Sequence, residues 1–148
     1  MLKLKIRQGD WVIVCDGKKA LVLENAGDEK FLNLKTREVF EHPDLKTSEL
    51  GTGSPGRSFS SAGHGRSAIE QTDLHDQEEH KFLHKLVAHL DAEINAGKMK
   101  SLIMVAPPRA LGVLRQAYSH NVRSALCGEI DKDFVKLPLH EIEKHLGG

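Results

Sequence analysis

The sequence predicts an α/β protein built on one mixed sheet of five strands. Short apolar runs bounded by turn residues occupy the first part of the chain, up to about residue 40. Beyond residue 73, apolar residues recur at helical spacing, and two further apolar runs then alternate with helical segments. The 148 residues suffice for one domain with a sizeable core, so we predict a single domain over residues 1–148.

The first part of the chain predicts an antiparallel meander of three strands. Residues 11–15 (WVIVC) are apolar on both faces, and the Asp-Gly pair that follows them is a strong hairpin signal. Residues 20–23 and 31–40 continue with strand-like patterns, and a Gly-Asp turn lies between them. These three runs therefore form neighbouring strands.

The rest of the chain predicts three helices that alternate with two strands. Apolar residues at helical spacing place the first helix at residues 74–96. Residues 101–106 form a buried strand, and the Pro-Pro pair after them ends it and starts the second helix. Residues 122–130 form the last strand, and Pro138 starts the last helix.

The predicted element order is β-β-β-α-β-α-β-α. Right-handed crossovers make the later strands parallel to the first one, which gives a mixed sheet covered by helices. Three-layer ribonuclease H-like folds have this order, and we predict that fold.

The sequence predicts a cytoplasmic protein and gives no overall preference for a polyanion. Lysine plus arginine equals aspartate plus glutamate at 21 each, so a polyanion site must be a local patch. Cys15 and Cys127 lie in apolar runs and predict two reduced, buried thiols, with a disulfide as the alternative. Charges at Lys3, Lys5 and Arg7 oppose a signal peptide, and no run approaches the length of about 18 apolar residues that a membrane helix needs. The sequence leaves the oligomeric state open.

Metal-dependent chemistry is not predicted. A nuclease of this fold holds two metal ions with carboxylates that include one at the end of the fourth strand. Asp16 and either Asp76 or Glu79 suit other positions, but the fourth strand ends in Met-Val-Ala-Pro. His80 and His84 have a zinc-binding spacing, yet they flank an apolar stripe where boundary histidines are common. We therefore predict no metal, no cofactor and no catalytic residue.

A long segment without secondary-structure signals, at about residues 41–72, is the outstanding feature of the chain. Residues 51–69 are rich in glycine and serine and contain no acidic residue, so their cations are not neutralised locally. Glycine permits close backbone approach, and serine adds hydroxyl donors, which suits phosphate and hence RNA. A flexible, solvent-exposed loop is the alternative. The phosphate-binding candidates are Arg57, His64, Gly65, Arg66 and Ser67.

Arg109 is a further phosphate-binding candidate. It falls in the first turn of the second predicted helix, where free backbone N–H groups favour an anion. Arg115 and Arg123 follow near the same helix. Solvated arginines on an exposed face are the alternative interpretation.

Three motifs in order carry a resemblance to a known family. They are WVIVCDG at residues 11–17, GRSFSSAGHGRSA at residues 56–68 and VAPPRALGVLR at residues 105–115, followed by EIDKD before the last helix. In this order they resemble the bacterial host attachment protein family, from residue 11 to about residue 146. The resemblance implies a role in attachment to host cells, and it implies no catalytic signature.

The layout is also similar to the middle domain of archaeal and eukaryotic class I peptide-release factors. In that family a flexible loop before the first long helix bears Gly-Gly-Gln and acts in peptidyl-tRNA hydrolysis on the ribosome. Here His64, Gly65 and Arg66 precede the matching Ser-Ala pair, so only Gly65 agrees and the glutamine is missing. The resemblance therefore implies a basic loop that enters an RNA cavity without the release reaction.

These observations favour a non-nuclease protein that binds the ribosome or another structured RNA. Two alternatives stay open: an adaptor that docks a protein partner needed for host attachment, and a hydrolase acting on peptidyl or aminoacyl esters. No membrane partner is expected.

Overall fold

The computed structural model describes residues 5–41 and 68–147, with the side chains of the first helix described from residue 76 onward. Five strands and four helices lie in this part of the chain. In order they are β1 (Trp11–Cys15), β2 (Lys19–Asn25), β3 (Leu34–Glu41), α1 (Ala68–Asn95), β4 (Leu102–Val105), α2 (Pro108–Ala117), α3 (His120–Ala125), β5 (Leu126–Ile130) and α4 (Leu139–Gly147).

The strands form one mixed sheet in the order β3-β2-β1-β4-β5. β1 pairs antiparallel with β2, and β2 pairs antiparallel with β3. β4 pairs parallel with β1 on one side and with β5 on the other. The prediction of a mixed five-stranded sheet is therefore confirmed, with the meander on one side of β1 and the parallel strands on the other.

β1 lies at the centre because its apolar residues cover both faces of the sheet. Ile13 and Cys15 pack into one hydrophobic cluster and Val12 and Val14 into the other, and all four are fully buried. A strand buried on both faces is expected to be continuously apolar, as WVIVC is.

Helices cover the two faces unequally. On one face, α1 packs through Leu83, Leu86 and Leu90 beside α2 and α3, whose buried Leu114 and Val122 join the same cluster. The opposite face is covered by α4, whose buried Ile142 and Leu146 contact the second cluster. The domain thus has three layers.

The predicted last strand at residues 122–130 is wrong in its first part. Residues His120–Ala125 form the short helix α3, so the element order gains a helix before β5. The Ser119 side chain caps this helix by accepting the Val122 N–H at 3.2 Å, and its Oγ also donates to Asp91 Oδ1 at 2.6 Å. The sequence pattern of these residues does not distinguish a helix from a strand. The cap and the contact with α1 stabilise the helix.

Two further boundaries differ from the prediction by more than two residues. β3 begins at Leu34 rather than at residue 31, because residues 26–33 form a turn tied to the buried side chain of Asn25. α1 begins at Ala68, inside the segment predicted as a loop at about residues 41–72. The rest of that predicted loop, residues 42–67, lies outside the described residues.

The prediction that Cys127 is buried is also wrong. Both cysteines are free thiols, but only Cys15 is buried. Leu102 pairs with Leu126 and Ile103 pairs with Gly128, so Cys127 is an extra residue that bulges out of β5. None of the helices in the described part of the chain has the length and apolar character required to cross a bilayer.

Candidate functional site

Four strands end along one edge of the sheet, which we call the carboxyl edge. β1 ends there at Cys15, and β4 ends beside it at Val105. Glu41 at the end of β3 pairs with Lys19, which follows the turn after β1, and their side chains form a 3.6 Å ion pair. Helix α2 starts at the same edge with Pro108. Ligands of open α/β sheets commonly bind beyond the carboxyl ends of the parallel strands.

Arg109 lies at this edge, in the first turn of α2, as predicted. Its Nη2 donates a hydrogen bond to Oδ1 of Asp76, which lies on α1, so the ion pair joins the start of α2 to the third turn of α1. The Arg109 side chain is 71% exposed. A phosphate group approaching Arg109 would share this guanidinium with the Asp76 carboxylate.

The other five predicted site residues lie outside the described residues, but both flanks of their segment are described. β3 enters the segment from Glu41, at the carboxyl edge. α1 leaves it and passes close to the same edge, because a Cβ placed on Gly17 would lie 2.8 Å from Cδ of Glu79. β3 therefore ends at the edge that carries Arg109, and α1 passes this edge at Glu79, eleven residues after the helix begins.

The carboxylate that follows β1 already has hydrogen-bond partners. Oδ1 of Asp16 accepts the N–H groups of Lys18 and Lys19, each at 2.8 Å, and so closes the hairpin turn between β1 and β2. β4 ends at Val105 and is followed by Ala106, with no carboxylate beside Asp16 at that position.

The histidines of α1 do not converge on one site in the described structure. His80 and His84 are exposed. His89 instead packs against β3, where Nε2 lies 2.7 Å from Oε1 of Glu38 and the ring meets Phe40 edge-on at 4.8 Å. Residues 5–41 and 76–147 hold no group of three histidine, cysteine, aspartate or glutamate side chains arranged to bind a metal ion.

A second polar cluster surrounds Glu129, the penultimate residue of β5. Oε1 of Glu129 accepts two hydrogen bonds from Arg115, from Nε at 2.9 Å and from Nη2 at 2.7 Å. Oε2 accepts the Tyr118 hydroxyl at 2.9 Å. Arg123 Nη2 donates to the Arg115 carbonyl at 3.0 Å, and its guanidinium carbon lies 5.8 Å from the Tyr118 ring centroid. These side chains line an open groove of about 460 Å³ beside β5.

The environment shifts the pKa values of this cluster in opposite directions. Burial alone would raise the pKa of Glu129, but the hydrogen bonds from Arg115 and Tyr118 outweigh it, and the pKa is lowered. Burial, followed by the hydrogen bond to the Glu129 carboxylate, raises the pKa of the Tyr118 hydroxyl. Glu129 is thus held ionised and Tyr118 neutral at physiological pH.

Sequence reasoning grouped the arginines of this region but missed the residues that organise them. Arg115 and Arg123 do lie together, whereas Arg109 lies apart at the other end of α2. Glu129 and Tyr118 were not identified as partners. A glutamate within an otherwise apolar strand that follows a helix ending near Arg115 and Tyr118 is the signal that could have identified them.

Comparison with known proteins decides the family. Residues 11–146 match the family described as "Protein required for attachment to host cells". The chain belongs to this host-attachment family. The match begins with β1 and ends within α4, so it includes every strand of the sheet and the whole carboxyl edge of this family member.

One curated relative is similar to a smaller part of this chain. It is an uncharacterized protein of Rickettsia prowazekii (strain Madrid E), 31% identical over 75 residues. The similarity spans 49% of this chain and 50% of that protein, so the chain spans about half the length of the relative that it matches.

Proposed function

We propose that this host-attachment family protein is a non-nuclease RNA-binding protein of ribonuclease H-like fold that acts on the ribosome or another structured RNA. In this proposal Arg57, His64 and Arg66 contact phosphate, and Gly65, Ser67 and Arg109 complete the phosphate-binding set. The proposal places the protein in the cytoplasm. Its role in attachment to host cells is then an indirect consequence of RNA binding.

One observation carries the proposal. β3 ends at the carboxyl edge, α1 passes that edge at Glu79, and Arg109 lies there in the first turn of α2. These positions support a site in which the acid-free stretch 51–69 acts together with a helix start, where backbone N–H groups and an arginine favour an anion. In this proposal, cations from two parts of the chain contribute to one phosphate-binding surface.

The sheet supports the fold assignment and the absence of nuclease chemistry. A meander β3-β2-β1 continued by parallel β4 and β5 is the arrangement expected of a ribonuclease H-like domain. The carboxylate of Asp16 holds a hairpin turn, and β4 ends in Val105 without an acidic residue. Two-metal hydrolysis requires carboxylates at both places.

The neighbouring acidic residues determine how much each cation contributes to phosphate binding in this proposal. Asp76 pairs with Arg109 and reduces the positive potential available there. Arg57 and Arg66 have no acidic residue between positions 51 and 69 to neutralise them. We therefore assign the larger share of phosphate binding to Arg57 and Arg66 and a smaller share to Arg109.

The test is the salt dependence of binding to purified ribosomes and to a structured RNA. Loss of two phosphate contacts in the double variant Arg57→Ala, Arg66→Ala should reduce the slope of log K against log salt by about 1.4 to 1.8. Lys98→Ala with Lys100→Ala is the matched control, because these exposed lysines precede β4 at the opposite edge of the sheet. The control should leave the slope unchanged.

Three outcomes would overturn the proposal. The first is a salt slope that is the same in the double variant as in the unaltered protein. The second is stoichiometric capture of one protein partner that persists after nuclease treatment, which indicates an adaptor. The third is turnover of peptidyl-tRNA above background, which indicates a hydrolase.

A further inference from the structure

β5 is an edge strand with one unpaired side. In the sheet order β3-β2-β1-β4-β5 it pairs with β4 alone, so among the described residues the outward backbone N–H and C=O groups of β5 have no strand partner. Four of its five residues are at least partly exposed to solvent. Such an edge is a template for an additional extended chain.

The bulge at Cys127 creates a groove on the helical side of this edge. Because β5 gains one residue, Leu126 packs on the same cluster as the helices, and Glu129 also reaches the helical layer through Tyr118. The floor of the groove contains Cys127 and Gly128. Gly128 has no side chain, which permits another backbone to approach closely.

The groove presents one guanidinium group in a fixed position. Arg115 is engaged by Glu129, whose two oxygens are both hydrogen-bonded, and the Asp131 carboxylate also acts on Arg115 electrostatically. Arg123 forms no ion pair with a carboxylate in the described structure, yet the Arg115 carbonyl and the Tyr118 ring hold it in place. Arg123 is therefore the planar cation of the groove that is available to a further carboxylate.

We infer that β5 and its groove bind an extended peptide segment that carries an acidic side chain. The peptide backbone pairs with the outer side of β5 at residues 128–130, beyond the bulge, and its carboxylate accepts hydrogen bonds from Arg123. The groove is open, so a small anion would remain largely solvated, whereas an extended chain also gains the strand hydrogen bonds. This inference does not rest on the proposed RNA binding, because it uses other side chains. The groove residue Arg115 lies six residues after Arg109, about 9 Å further along α2.

A peptide-display selection against the full-length protein tests the inference. The library holds extended eight-residue segments in which one central position is randomised. We expect glutamate or aspartate to be enriched at that position on the unaltered protein and lysine or arginine on Arg123→Glu, with a three- to tenfold change in affinity for the best binder. Lys132→Glu is the matched control, since it makes the same charge change at an exposed residue just after β5.

Amide chemical shifts and hydrogen exchange then locate the binder. Protection of the amides of residues 128–130 by the selected peptide supports strand addition. Failure to select any binder, the absence of charge preference, or the same preference on Arg123→Glu would overturn the inference. The inference would also be overturned if RNA, and not the peptide, changed the chemical shifts of these amides. Arg123 is exposed, and an unchanged thermal midpoint of the variant confirms that it folds.

Discussion

The hydroxyl of Tyr118 donates a 2.9 Å hydrogen bond to Oε2 of Glu129, and this contact joins the end of the helical layer to the edge strand β5. Tyr118 follows α2 directly and is 8% exposed. Glu129 holds Arg115 through its other oxygen. A single carboxylate therefore ties one buried phenol and one exposed guanidinium to the sheet.

Tyrosine ionisation provides the first prediction. Tyr118 is the sole tyrosine of the chain, so phenolate absorbance reports this side chain alone. Its ordinary pKa is 10.0, and burial with the Glu129 hydrogen bond raises it. The absorbance of the folded protein should rise only at pH values above 10, and titration in urea should return the midpoint to about 10. A folded-state midpoint at or below the ordinary value would contradict the contact.

The acid side of the pH range provides the second prediction. The pKa of Glu129 is lowered from its ordinary value of 4.5, so its contribution to stability is present above that value and is lost as the pH falls through the folded-state pKa. Glu129→Gln should lower the free energy of unfolding by about 1–2 kcal/mol at pH 7. Urea titrations should show this difference shrinking below pH 4.5, whereas Glu29→Gln, at an exposed position, should show little effect at either pH.

The buried amide of Asn25 provides the third prediction. Oδ1 accepts the N–H groups of Gly27 and Asn33, and Nδ2 lies within 3.4 Å of three backbone carbonyl oxygens, including that of Ile6. Asn25→Ala leaves these buried groups without partners and should cost about 2–4 kcal/mol of unfolding free energy in urea. Asn33→Ala is the control, because Asn33 is exposed and contributes its backbone to this network. Equal effects of the two substitutions would contradict the assignment.

Thiol reactivity provides the fourth prediction. Burial raises the pKa of the Cys15 thiol to about 12, whereas Cys127 is exposed on the bulge of β5. A disulfide reagent at pH 8 should therefore modify one thiol rapidly and the second only after denaturation. Cys127→Ser should abolish the rapid phase, and rapid modification of both thiols in the native protein would show that Cys15 is accessible.

The ion pair between Arg109 and Asp76 provides the fifth prediction. Both side chains are substantially exposed, so their coupling energy should be small, about 0.2–1 kcal/mol in a double-mutant cycle of alanine variants. The same cycle at high salt should give a value near zero. Asp76→Ala alone should increase RNA affinity, because it frees the Arg109 guanidinium, while Glu78→Ala is a neighbouring acidic control on α1.

The parts of the fold that the sequence predicted are those with strong local signals. β1 was predicted at its observed bounds because WVIVC is apolar throughout and ends at an Asp-Gly turn. α2 was placed correctly because Pro108 lies at its first position. Residues 126–130 form a strand as predicted, but residues 122–125 were misassigned because this stretch has no clear period and the hydrogen bond of Ser119 that favours a helix reaches across to α1.

The site was less predictable because its contacts are tertiary. Arg109 was correctly placed at a helix start, but its partner Asp76 lies 33 residues earlier, where no local pattern indicates the pairing. The exposure of Cys127 follows from one extra residue in β5, and a single insertion in a parallel strand leaves no trace in composition. The five candidates between Arg57 and Ser67 remain predictions.

The position of β3 in the sheet also has a consequence for protein engineering. Among the described residues β3 pairs with β2 alone, and α1 passes the edge at which β3 ends. A change in the number of residues between β3 and α1 therefore need not alter the register of any described strand. We expect a foreign sequence grafted between these two elements to leave the sheet intact.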